Sequence, residues 1–202
     1  MTAAEVTRAL AGFEQRLRDL GVPVVERLRP GLTRAEVDQV AAEFDVVLSA
    51  DAAAWWMWHD GDRLRYEDDW GRPSLTPTGV FCGLRAALER SQQAHEATWD
   101  QDVDPARPDL DWRFHREWVA LIQGTTPVIV DCREPAAPGS PTGVWAADGG
   151  LGHTITLAER IGWWHWALDH GHWVPRTDGT WLVDDARSPG NLVGLHARDN
   201  AS

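Results

Sequence analysis

The sequence contains no lysine, so all 19 of its basic residues are arginines, and these do not form runs. The 31 acidic residues outnumber them and give a formal net charge of −12. Binding to a phosphate backbone needs clustered positive charge, because such contacts release condensed counterions. The sequence therefore argues against direct nucleic-acid binding. An acidic surface favours a basic partner, whose approach is accelerated by attraction and slowed by salt, although the same charge also serves solubility alone.

Cysteines and long apolar segments are also scarce. Cys82 and Cys132 lie far apart and outside any zinc-type spacing, so they predict neither a metal knuckle nor a disulfide framework. No apolar run reaches the roughly 18 residues that a membrane-spanning helix needs. Charged residues interrupt the start of the chain, unlike the apolar stretch of a signal peptide. We therefore expect a cytoplasmic protein that does not bind membranes.

The motifs of several common catalytic chemistries are missing. The chain has no GxSxG, no GxxxxGK[ST], no strand followed by GxGxxG and no HExxH. Nucleophile-elbow, phosphate-loop, dinucleotide-binding and zinc-hydrolase chemistries depend on the local geometry that these motifs supply. The sequence thus predicts no catalytic residue and no cofactor.

Helix starts are marked by three Thr-x-x-Glu patterns, in which the hydroxyl and the carboxylate bond N–H groups that the first turn leaves unpaired. These patterns are Thr2 with Glu5, Thr33 with Glu36, and Thr156 with Glu159. Apolar residues follow each one at helical spacing, which predicts helices ending near Gly21, Asp45 and Gly171. Ser49 is suited to cap a further short helix that closes at Gly61, and another helix is expected over residues 84–97.

The spacing of apolar residues changes in the second half of the chain. There, short runs of residues typical of β-strands alternate with Gly and Pro clusters. These runs are Trp118–Ile122, Val128–Asp131 and Gly143–Ala147, preceded by a brief strand at Val80-Phe81. Asp178-Gly179 is suited to a tight turn between Trp173–Arg176 and Thr180–Val183. We predict one α+β domain, in which a mixed, mainly antiparallel sheet is flanked by several helices.

Several motifs follow one another in a recognisable order. The first are Leu28–Val37 and the short helix ending in Trp58-His59-Asp60-Gly61. Later motifs are Pro127–Cys132, Gly143–Trp145, Thr156–Glu159, Trp163-Trp164 and Leu168–Gly171. Over residues 22 to 184 the chain resembles the SUKH superfamily, which includes the fungal cell-wall assembly regulator and many bacterial immunity proteins. It departs from that family at Leu48-Ser49, where proline usually follows the leucine, and in its density of tryptophan.

The resemblance implies a SUKH-like domain over residues 22–186 without a catalytic centre. The remaining segments are an N-terminal amphipathic helix, 1–21, and a polar tail, 187–202. Many bacterial relatives bind and block a co-encoded toxin, so we expect a non-enzymatic immunity protein whose partner is a toxin domain with a basic surface. The alternative of an adaptor or regulator in cell-envelope or signalling pathways stays open, because the family serves several protein contacts.

Candidate contact residues come from two groups. The 13 tryptophans greatly outnumber the 4 phenylalanines and 1 tyrosine, and tryptophan recurs at interface hot spots. Trp163 and Trp166 lie off the apolar face of their helix, so they need a second surface, either within the chain or on a partner. Trp58, His59 and Asp60 can form a recognition corner, although a glycine-based helix stop also explains them. Asp131 ends an apolar strand, where its carboxylate can meet a ligand or bond a turn.

The enzymatic alternative is a metal site. His165 and Asp169 stand at i and i+4 and so share a helix face, which suits two ligands of one ion. His170 and His172 follow closely, and His153 is a further candidate ligand. Without an HExxH motif, however, these residues lack the usual arrangement of a hydrolytic zinc centre.

Overall fold

The computed structural model describes residues 2–63, 75–99, 113–146, 150–152 and 154–183. The helices are α1 (Ala3–Asp19), a 3-10 helix (Pro23–Arg27), α2 (Arg34–Ala42), α3 (Ala50–Trp58), α4 (Leu84–Trp99) and α5 (Leu157–Asp169). The strands are β1 (Leu28–Pro30), β2 (His59–Asp62), β3 (Trp118–Ile122), β4 (Val128–Asp131), β5 (Pro141–Ala146), β6 (Gly150–Leu151), β7 (Ile155–Thr156), β8 (Trp173–Pro175) and β9 (Trp181–Val183). The fold is α+β, and every strand pair within the described ranges is antiparallel.

The largest sheet has the order β3-β4-β5-β6, with β7 also beside β5. Val119, Val130 and Thr142 lie side by side across its first three strands, and all three are fully buried on the side of the main core. Residues in the next row across these strands point to the opposite face of the sheet, because side chains alternate along a strand. There Ile129 joins Phe114 and Trp118 in a second, smaller cluster.

The edge strand β3 is covered along its outer side. Helix α4 packs against it, and the Ala120 N–H donates to the Ser91 hydroxyl at 3.3 Å. Beyond the end of β3, Val80 and Gln123 exchange two backbone hydrogen bonds of 2.8 Å each. The predicted strand at Val80-Phe81 is therefore only an isolated bridge.

The N-terminal helix is built into the main core. Its apolar stripe packs against α3 and α5, and four stripe residues are fully buried: Val6, Leu10, Phe13 and Leu17. The same core encloses Trp55, Trp56 and Trp164 at 0% exposure. Several tryptophans are thus internal packing residues.

Local capping signals predicted the helix starts correctly. In α2 and α5 the threonine backbone N–H donates to the glutamate at 2.7 and 2.8 Å, and the glutamate N–H donates back to the hydroxyl. Ser49 accepts the Ala52 N–H at 3.2 Å, as expected for the cap of α3. Gly171 has a φ of +69°, the left-handed conformation expected after α5.

Two turns differ from the sequence prediction. Helix α3 ends at Trp58, and Gly61 takes its φ of +82° inside β2, which pairs with β1. This pairing joins segments 30 residues apart, so local signals could not indicate it. The β8–β9 hairpin exists, but Pro175 pairs with Trp181, so the turn spans residues 176–180 and is not a two-residue Asp-Gly turn.

Two polar groups are buried where helices meet the largest sheet. Arg160 is 1% exposed and donates to the hydroxyl and the carbonyl of Thr142, both at 3.0 Å. Burial lowers the pKa of its guanidinium to about 10, so it stays charged at neutral pH. Asp51, in the first turn of α3, accepts the Ser140 N–H at 2.6 Å and the Ser140 hydroxyl at 2.7 Å.

No helix in the described part of the chain combines the length and apolarity that crossing a bilayer requires.

Candidate protein-binding groove

The predicted recognition corner is held by contacts within the chain. The Trp58 indole N–H donates to Glu14 at 2.7 Å, and its ring stacks on Phe81 at 5.9 Å. His59 Nδ1 lies 2.7 Å from the Arg29 carbonyl, so this nitrogen carries a proton, because a carbonyl only accepts. Although partial burial raises the pKa of Glu14, hydrogen bonds from Arg18, Trp58 and His59 outweigh it and hold that pKa below its ordinary value. The corner fastens α1 to α3 and β2.

Asp60 contacts the start of α4. Its Oδ1 accepts the backbone N–H of Leu84, the first residue of that helix, at 2.8 Å. The Arg29 guanidinium lies 3.9 Å from the same carboxylate. A helix start leaves N–H groups unpaired, so Asp60 acts as a cap supplied from a distant part of the chain.

We expect Asp60→Ala to lower the free energy of unfolding by about 1 kcal/mol, because it removes the acceptor for this N–H group. Asp60→Asn retains an amide oxygen in the same place and should recover most of the loss. Urea denaturation of both variants measures the difference. Equal losses in the two variants would contradict the capping role.

Asp131 closes a turn after β4. One of its oxygens accepts the Arg133 backbone N–H at 3.0 Å, and the other lies 2.7 Å from the Arg133 guanidinium. The same guanidinium lies over the Trp118 ring at 5.7 Å. The carboxylate is therefore engaged in its own turn in the structure.

Trp163 and Trp166 pack largely against other residues of this chain. The Trp163 ring meets Trp173 of the β8–β9 hairpin edge-on at 5.3 Å. The Trp166 ring stacks with His170 at 4.5 Å and with His172 at 4.7 Å. Both indoles are half-buried by these contacts, which leaves part of each ring on the surface.

The structure does not bring together the candidate ligands of the alternative metal site. His165 lies 3.6 Å from Asp169, but Asp169 also forms an ion pair with Arg16 at 2.7 Å. His170 and His172 instead stack on the Trp166 ring. No group of three or more metal-ligating side chains occurs among the described residues, and His153 lies outside them.

The two cysteine thiols are buried. Burial raises the pKa of the Cys132 thiol to about 12. The reactive form of cysteine is the thiolate, so Cys132 is protonated and unreactive at neutral pH.

A surface pocket of about 270 Å³ lies between the end of α2 and α4, and we call it the α2–α4 groove. Its apolar part consists of Phe44, Val46 and Leu88. Its polar part consists of Glu43, Asp45, Gln92, His95, Glu96 and Arg116. Val47, beside this lining, is 66% exposed, more than any other large apolar side chain of the described residues. An apolar centre with a charged rim is the usual composition of a protein interface.

One face of α4 forms a wall of the groove and continues beyond it. Leu88, Gln92, His95 and Glu96 recur at helical spacing, and Trp99 continues the same face. The His95 ring is tilted by 39° against the Trp99 ring at 4.9 Å, and its Nδ1 lies 2.8 Å from the Phe114 carbonyl. Nδ1 is therefore the protonated nitrogen, which leaves Nε2 as the other polar atom of the ring. Trp99 is 44% exposed although the Arg113 guanidinium lies over its ring at 4.5 Å, so part of the indole surface adjoins the groove.

Three carboxylates make the rim acidic. Glu43 pairs with Arg85 at 2.7 Å, and the hydrogen bond from Arg85 holds the pKa of Glu43 below its ordinary value. Asp45 pairs with Arg116 at 2.7 Å, and Glu96 accepts the Gln92 amide at 2.9 Å. Ion pairs this exposed contribute at most about 1 kcal/mol each, so other cations can replace the two arginines.

Sequence reasoning did not single out this groove. Its residues come from three separate segments, and only the fold brings them together. The available signal was the α4 pattern itself, in which an apolar residue, polar residues and Trp99 share one helix face.

No protein-family model matches the chain, and no curated protein sequence matches it.

Proposed function

We propose that this chain is a protein-binding module of the SUKH type that binds a basic protein partner and blocks it, as an immunity protein blocks a toxin. The observation that carries the proposal is the α2–α4 groove, in which three carboxylates surround the partly exposed Phe44 beside Trp99. Such a surface complements a partner that presents cationic and apolar groups together. The net charge of −12 supports the same choice, because it accelerates encounter with a positively charged protein.

The test uses the protein encoded by the neighbouring reading frame. Its C-terminal domain is expressed under tight control, with and without the full chain, and growth is recorded. We expect the chain to restore growth and to form a stoichiometric complex with that domain. The association rate should fall steeply as salt rises, while the dissociation rate changes less. Absence of a complex, or protection that proceeds by turnover of a small molecule, would contradict the proposal.

A charge-matched pair of variants locates the contact. Glu43→Gln with Glu96→Gln removes two charges from the groove, whereas Asp19→Asn with Glu26→Gln removes two exposed charges near the end of α1. We expect the groove pair to slow association by about tenfold, well beyond the effect of the control pair, because nearby charges dominate steering. Stopped-flow mixing at low salt measures both rates.

A further inference from the structure

The α2–α4 groove already holds a guanidinium group of its own chain. Arg116 Nη2 lies 2.7 Å from Asp45 Oδ2 and 3.4 Å from the Phe44 carbonyl oxygen. The two side chains are 51% and 81% exposed, so water competes strongly for both. An ion pair in this setting is weak and readily exchanged.

The remaining lining suits the rest of an arginine side chain. The partly exposed Phe44 provides apolar surface for its methylene groups, and the buried Val46 and Leu88 form the rest of the apolar lining. The Glu96 carboxylate adds an acceptor on the α4 side. A guanidinium presents five N–H donors in one plane and stacks on aromatic rings, whereas an ammonium is a compact and strongly hydrated charge. The acceptors on both sides of the groove and the Phe44 ring therefore favour arginine over lysine.

We propose that the α2–α4 groove binds an arginine side chain of the protein partner, and that Arg116 occupies the Asp45 carboxylate in the free chain until this arginine displaces it. The inference rests on the proposed function for the existence of a protein partner. It adds the chemical group that enters the groove and an internal competitor for it. Removal of Arg116 should therefore strengthen binding, although it makes the chain more acidic by only one charge.

Asp45 allows the carboxylate to be removed without harm to the fold. Its φ is +53°, in the left-handed region after the end of α2, where glycine is the usual residue. The Val46 N–H reaches back to the Ala41 carbonyl at 3.1 Å, as expected for a helix end of this kind. Asp45→Gly relieves the steric cost of a side chain in this conformation, so its melting temperature should equal or exceed that of the unaltered chain.

The experiment titrates the full, isotope-labelled chain with an acetylated and amidated peptide, Ala-Leu-Arg-Leu-Ala. Matched peptides carry lysine or uncharged citrulline in place of the arginine. Chemical shifts of the Gln92 side-chain amide and the Trp99 indole N–H report binding in the groove. Arg34→Ala is the control variant, because it breaks an exposed ion pair with Asp38 at the opposite end of α2.

We expect Arg116→Ala to raise the affinity for the arginine peptide by about twofold to fivefold, the range that an exposed ion pair is worth. Asp45→Gly should lower it by at least about threefold, and Arg34→Ala should change it by less than about twofold. Equal affinities in all four proteins would overturn the proposal, as would equal binding of the citrulline peptide. Equal binding of the lysine peptide would overturn the assignment of arginine.

Sedimentation of the chain alone tests the other occupant. Self-association that disappears in Asp45→Gly would assign the groove to a second copy and overturn the partner assignment. Failure of growth protection with normal peptide binding would refute the immunity function and leave the arginine site standing. Full protection by Asp45→Gly would refute the arginine site and leave the immunity function standing.

Discussion

Replacing Trp164 with alanine is expected to lower the free energy of unfolding by about 3 to 5 kcal/mol, as for other large aromatic residues in protein cores. Trp164 is fully buried where four elements meet. Its ring lies 5.9 Å from Phe13 of α1, 5.8 Å from Trp55 of α3 and 6.5 Å from Trp173 of β8. Truncation leaves a cavity at this junction that the surrounding helices can fill only partly.

The neighbouring Trp163 provides a matched control. It is half-buried against the β8–β9 hairpin, so Trp163→Ala should cost less than half as much as Trp164→Ala. Urea denaturation followed by circular dichroism measures both, with the slope against denaturant checked for change. Equal losses would mean that Trp164 is not the residue that joins the helices.

The second large effect is expected at Asp51. Asp51→Ala should lower the free energy of unfolding by about 2 to 4 kcal/mol, because it leaves the buried Ser140 N–H without its acceptor. The hydroxyls of Ser49 and Ser140, at 2.8 and 2.7 Å from this carboxylate, also lose it as an acceptor and keep only their contact with each other and the Ala52 N–H. The cluster joins the start of α3 to the turn before β5, so the loss should loosen the contact between that helix and the sheet.

The loss of stability caused by replacing Asp51 should become smaller as the pH falls. Burial raises the pKa of Asp51, but hydrogen bonds from Ser140 and Ser49 outweigh it and leave the pKa below its ordinary value. A carboxyl whose folded pKa is lowered stabilises the fold above the unfolded value of about 3.9, and this stabilisation is lost as pH falls through the folded pKa. The difference between the unaltered chain and Asp51→Asn should therefore be largest near neutrality and shrink in acid. Hydrogen bonds from Thr180 also hold the pKa of the exposed Asp178 below its ordinary value, so Asp178→Asn should show the same trend at smaller size.

Local chemistry in the sequence predicted much of the helical framework. The threonine and glutamate pairs at the starts of α2 and α5 bond to each other within one turn, so their spacing of three residues suffices to recognise them. The strands β3 and β4 were found with their bounds, because a short run of branched apolar residues between turn residues has few other outcomes. The fold class followed from the order of these elements.

Contacts between distant segments could not be predicted in this way. The β1–β2 pair depends on Pro30 meeting His59, and this pairing turned an expected helix stop into a strand. Asp60 looked like an exposed recognition residue because its partner, the Leu84 N–H, lies 24 residues away. The groove could not be predicted for the same reason, since Asp45 and Arg116 are 71 residues apart in the sequence.

The covered edge of the largest sheet has a consequence for the behaviour of the protein at high concentration. An open edge strand offers unpaired N–H and carbonyl groups to other chains and can seed aggregation. Here α4 lies along β3 and Ser91 takes up the Ala120 N–H, while the strand at the other end, β6, is only two residues long. Among the described residues, neither end of this sheet gives another molecule a long strand to extend, so crowding should not drive these sheets to join into fibres.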